Sequence, residues 1–134
     1  MIIDRSIDIE YEVSQALNAT GVTSYTRPLP EDFVTPSILV TQVGGSERDT
    51  IDQFDIVLDS RAEEDYDATL TLNNAIGVLR KVVKEQSTAL RYIEVVSSGS
   101  WGNDPVRPDL AMRSARLRLT AHLEKAEIYI TGGN

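Results

Sequence analysis

The sequence predicts an α+β fold, a mainly antiparallel or mixed β-sheet with a long helix and an N-terminal helix packed on one face, on three observations. Residues 115–123 (Ala-Arg-Leu-Arg-Leu-Thr-Ala-His-Leu) alternate apolar and polar side chains, the period of a half-buried strand. Residues 60–85 open on Ser60-Arg61-Ala62-Glu63, a helix-start pattern. They carry acids early (Glu63, Glu64, Asp65) and bases late (Arg80, Lys81, Lys84), which suits a helix dipole. The periodicities run helix, strands, long helix, strands, an order that builds an antiparallel sheet covered by helices.

The chain has 134 residues, enough for one core and too few for two. We read a single domain over residues 1–126 and a C-terminal tail over 127–134. Apolar residues make up 41% and charged residues 25%, so the composition is that of a folded globular protein rather than a disordered one. Cysteine is absent, which excludes disulfides, thiolate nucleophiles and cysteine metal ligands. The N-terminal Met-Ile-Ile-Asp has no signal-peptide pattern and no run of about 18 apolar residues occurs, so neither secretion nor a membrane partner is expected.

Taken in order, Ile9, Val13, Ala16 and Leu17 recur at helical spacing and predict a helix from Asp4 to Asn18. Asp4 or Ser6 would be its N-cap and Gly21 its C-terminal stop. Residues 24–27 suit a short extended piece before Pro28-Leu29-Pro30, where lost N–H donors end any central strand. Residues 37–43 are β-branched and apolar and predict a strand stopped by a turn at Gly44-Gly45. Phe54, Ile56 and Leu58 alternate against Asp55, Val57 and Asp59, a half-buried strand paired across that turn. In the long helix Ser60 would cap, and Tyr66, Leu70, Ile76, Leu79 and Val83 would face inward, with Gly77 weakening it slightly. Residues 90–96 read as a strand, and Ser97 to Pro105 as a loop rich in turn formers.

No pattern of catalytic chemistry emerges, and an enzyme is not expected. Gly44-Gly45-Ser46 lacks the Gly-Lys-Ser/Thr that would make it a phosphate cradle, so a hairpin turn is favoured. The carboxylates between Asp49 and Asp67 lack a calcium-loop pattern, and Asp52 falls on the strand face opposite Asp55 and Asp59. They read as a solvated or intersubunit acidic patch. The single His122 cannot form a two-histidine zinc site alone and shares a polar strand face with Arg116 and Arg118. No metal or cofactor is therefore expected. Arg116 and Arg118, with Arg113, would either be solvated or fork onto carboxylates of a neighbouring subunit. Trp101 would be either a lid folded on the core or an interface anchor, and Tyr25 and Phe33 allow the same two readings.

Charge is uneven along the chain. The formal net charge of −8 opposes nonspecific binding to nucleic acid. Residues 1–67 carry 4 basic and 15 acidic side chains, a net of −11, whereas residues 68–134 carry 9 and 6, a net of +3. Such asymmetry either gives complementary faces for head-to-tail contact or is interleaved on a solvated surface by folding.

Three stretches, residues 28–45 (Pro-Leu-Pro-Glu-Asp-Phe-Val-Thr-Pro-Ser-Ile-Leu-Val, then Val-Gly-Gly), residues 58–63 (Leu-Asp-Ser-Arg-Ala-Glu) before a long helix, and residues 103–108 (Asn-Asp-Pro-Val-Arg-Pro) before an alternating strand, together resemble the tail terminator and tail completion family of siphophages. The resemblance covers most of the chain and rests on the order and spacing of these stretches. It implies a protomer of a ring, commonly a homohexamer, that caps the tail tube protein and offers a head-tail joining surface to a head-completion or neck protein. DNA would pass through the lumen without specific binding. The protein would be a virion structural component of the tail or neck, present in the host cytoplasm during assembly. Residues 44–50 and 99–107 would be partner-contact loops, and the candidate interface residues are Gly44, Gly45, Arg48, Trp101, Asp104, Arg107, Arg116 and Arg118. Two other classes share the composition: another neck component, a head-completion stopper or adaptor, and a small-ligand-binding or enzymatic domain.

Overall fold

The computed structural model describes residues 1–47 and 51–129. The elements in chain order are β1 (Ile2–Arg5), α1 (Ile9–Ala19), β2 (Ser24–Thr26), β3 (Ser37–Glu47), β4 (Ile51–Ala62), α2 (Asp65–Glu85), β5 (Leu90–Asn103), β6 (Ala111–His122) and β7 (Glu124–Glu127). Five strands form a mixed sheet in the order β2-β3-β4-β6-β5, parallel only between β2 and β3, and β1 pairs with β7 in a separate antiparallel ribbon. The fold is α+β.

Alternation along the strands selects one face for burial. Ile38 and Val40 of β3, Phe54, Ile56 and Leu58 of β4, and Ala115, Leu117, Leu119 and Ala121 of β6 enter one core with residues of both helices. From α1 come Ile9, Val13 and Leu17; from α2 come Leu72, Ala75, Ile76 and Leu79. Both helices thus cover the same face, and each fully buried Leu or Ile contributes about 1.5–3 kcal/mol of burial. The opposite face carries rows of side chains such as Asp55, Arg118 and Glu94, which stand side by side across β4, β6 and β5.

Six sequence expectations need correction. Residues 2–5 are strand rather than helix, because β7 supplies them with a partner from Ile2 opposite Glu127 to Arg5 opposite Glu124. Helix α1 instead begins after Asp8, whose Oδ1 accepts the Tyr11 N–H at 3.2 Å, so neither Asp4 nor Ser6 caps it. Gly44-Gly45 is not a turn: β3 runs through both glycines with a bulge at Val43, and Gly44 and Gly45 pair with Asp55 and Phe54. Ser60 does not cap α2 either. It lies in β4, and its hydroxyl donates to the Ala68 carbonyl at 2.7 Å, tying the helix's first turns to the sheet.

That tie sets the phase of α2, which buries Ala68, Leu72, Ala75, Ile76 and Leu79 and leaves Tyr66 and Leu70 exposed. Finally, residues 97–103 are not loop but the second half of β5, paired with β6 as far as Asn103 opposite Ala111. Register shifts before Ser97 and Ser100 absorb the irregular sequence. Of the C-terminal stretch, Glu127 closes the pairing with β1, and the Ile128 N–H donates to the Met1 carbonyl at 2.9 Å.

Candidate functional site

Within the five-stranded sheet the strand order separates the two halves of the sequence, whereas the β1–β7 ribbon joins the two ends of the chain. β2, β3 and β4 lie at one side of the sheet, β6 and β5 at the other. Residues 24–62 carry seven acidic and three basic side chains; residues 90–122 carry three and five. Some of this charge is matched internally. Arg118 Nε donates to Asp55 Oδ1 at 3.1 Å, with Glu94 3.7 Å away, and Arg113 grips Asp65 at 2.8 and 2.7 Å. The Arg113 hydrogen bonds and charge hold the Asp65 carboxyl below its ordinary range. Arg116 is exposed and in no ion pair among the described residues, and Glu31 and Asp32 on the other side are likewise in none. Acidic crowding extends to α1. Burial, then Glu124 and Asp8, raise the pKa of Glu12.

Where the sheet's open face meets the end of β4, two loops enclose a cleft of about 490 Å³. One loop precedes β3 and contributes Leu29, Pro30 and Phe33; the other follows β5 and contributes Val106 and Arg107. Leu39 and Arg61 form the sheet side. The second loop is held by Asp104, whose Oδ1 accepts the Val106 and Arg107 N–H groups at 2.8 and 3.2 Å while Oδ2 accepts Arg61 Nε at 2.6 Å. Burial works to raise the Asp104 pKa, but these donors outweigh it and hold the carboxyl below its ordinary range. Across the cleft, the Arg107 guanidinium stands 5.7 Å from the centre of the Phe33 ring and pairs with Asp109 at 3.1 Å. The walls are chiefly apolar, with Arg61, Arg107, Glu31 and Asp104 among them, suited to an apolar or aromatic side chain.

The structure distributes the sequence-predicted residues unevenly. Arg107 lines the cleft, and Asp104 supports it from a buried position, so Asp104 is an internal anchor rather than a partner contact. Trp101 is 72% exposed on edge strand β5, which excludes the lid reading. Arg116 and His122 are exposed on β6, whereas Arg118 is engaged within the chain. Gly44 and Gly45 sit inside the sheet, and Arg48 lies outside the described residues. Sequence reasoning missed Arg61, Leu29 and Leu39. For Arg61 the only hint was a cation in a strand's last residues; its partner is 43 positions away.

Among the described residues, no group of three or more His, Asp or Glu side chains is placed to hold a metal ion, and no helix is long and apolar enough to cross a membrane. No protein-family model matches the chain, nor does any curated protein.

Proposed function

We propose that this chain is a structural virion protein whose copies join head to tail in a ring, the ring capping a phage tail tube and presenting the surface on which the head is joined. One observation carries the reading beyond the family resemblance: the strand order puts the acid-rich part of the sequence at one side of the sheet and the base-rich part at the other. A protomer with two different complementary sides forms heterologous contacts, and such contacts close into a ring when the rotation between copies closes. Arg116 on one side and Glu31 and Asp32 on the other, in no ion pair among the described residues, are available for this role. Partners in this reading are further copies, the tail tube protein and a head-completion or neck protein. The protein has no catalytic part.

Absolute mass by light scattering over a range of concentrations, followed by electron microscopy of the assembled species, tests the reading. A closed ring, of six subunits on the family resemblance, that binds the ends of purified tail tubes is the expected result. A chain that stays monomeric at every concentration, or a ring indifferent to tail tubes, would overturn it.

A further inference from the structure

We infer that the cleft between residues 29–33 and 104–107 receives Trp101 of a neighbouring copy, so that each protomer offers one indole and one socket. The inference rests on the head-to-tail reading and names its contact. Trp101 stands 72% exposed on the outermost strand of the base-rich side. An exposed tryptophan leaves a large apolar surface in water, and aromatic anchors of this kind fill apolar sockets at interfaces.

Trp101 cannot reach the cleft of its own chain. It lies opposite Arg113, whose guanidinium reaches Asp65 of α2, so the indole belongs to the helix-covered face. Leu39 and Arg61 alternate with the core-facing Ile38 and Ser60, so the cleft opens on the other face. Along the strands the two sites are nearly level, since Leu39, Asp59, Ser114 and Ser100 form one row across the sheet. Across the strands they are three positions apart, roughly 14 Å at the usual 4.7–4.9 Å spacing. Copies overlapping like shingles, the β5 edge of one over the open face of the next at β3, bring the indole of the first to the cleft of the second.

The chemistry of the socket fits this occupant. Leu29, Pro30, Phe33, Leu39 and Val106 supply apolar contact, and Arg107, already beside the Phe33 ring, offers a cation to a second aromatic face. Charge is complementary as well, because Glu31 lines the cleft with Asp32 next to it in the acid-rich half, while the Trp101 side carries the surplus of arginine.

Trp101 is the chain's only tryptophan, so its emission reports docking without a label. Mass by light scattering and acrylamide quenching of that emission are measured on the same samples of the full chain as concentration rises. The expected result is a shift of emission to shorter wavelength and a severalfold loss of quenching, both in step with the rise in mass. Trp101→Ala and Val106→Glu, at positions 72% and 87% exposed, should each keep the monomer's circular dichroism and remain at monomer mass. Mixed together they should form a dimer and stop there, the intact indole of one filling the intact cleft of the other. Rings whose tryptophan stays fully quenched, a Trp101→Ala chain that assembles like the wild type, or a mixture with no dimer would overturn the socket and leave the head-to-tail reading standing. A wild type that stays monomeric would overturn both.

Discussion

Asp104 ties together three pieces of chain that meet only in the folded protein: the end of β5, its own loop, and Arg61 of β4. The Arg61–Asp104 pair is buried, with side chains 11% and 5% exposed, and Arg61 Nη1 has no acceptor among the described residues. Losing the carboxylate would leave Arg61 as a buried charge without its partner, a change that costs about 3–5 kcal/mol. Asp104→Asn should therefore lower stability by about that much at pH 7 in urea denaturation. Because the folded pKa of Asp104 lies below the unfolded value near 3.9, its contribution is complete above that value and disappears as pH falls through the folded pKa. The difference between wild type and variant should accordingly shrink below about pH 4. A gap that stays constant from pH 7 to pH 2.5 would mean that the charge is not what matters. The sequence marked Asp104 as a turn former, which it is, but a pairing with Arg61 has no local signature.

At the scale of elements, the two glycine positions the sequence singled out pull in opposite directions. Gly45 has φ +149°, and a Cβ there would lie 2.4 Å from the Gln53 carbonyl oxygen on β4, so no side chain fits without moving the strand pair. Gly45→Ala should destabilise by about 1–3 kcal/mol. Gly77 is exposed in the middle of α2 with nothing within 4 Å of an added Cβ, so Gly77→Ala should stabilise by about 0.5–1 kcal/mol through helix propensity. Thermal unfolding of both variants checks the pair of signs. The same contrast explains which elements were legible. Strands with strict alternation, as in β4 and β6, were read from side chains alone, whereas the Gly44-Gly45 and Ser97 to Gly102 segments resembled turns. They are strand because neighbouring strands supply hydrogen-bond partners, which local propensity does not register. The phase of α2 was misread for a related reason. The Ser60 hydroxyl holds the helix backbone against β4 at the fully buried Ala68, and this turns the larger Tyr66 and Leu70 outward.

At the scale of the whole molecule, the linear charge bias was legible but its meaning depended on topology. Had the strands of the main sheet been interleaved, the same composition would have given a mixed surface there; the order β2-β3-β4-β6-β5 keeps them apart, and only the β1–β7 ribbon mixes the two halves. Charges spread over two opposing sides act at long range and chiefly set how fast copies find each other, whereas a desolvated aromatic anchor chiefly sets how slowly they part. The screening length shrinks from about 10 Å at 0.1 M salt to about 3 Å at 1 M. Raising salt across that range should therefore slow association of the wild type by roughly tenfold or more while leaving dissociation within about twofold. Stopped-flow mixing and dilution, followed through Trp101 emission, measure the two rates separately. Arg116→Glu, which reverses a β6 arginine that is in no ion pair among the described residues, should reproduce the slow association at low salt and flatten its salt dependence. An association rate indifferent to both salt and Arg116 would mean that the separated charges do not face each other when copies meet.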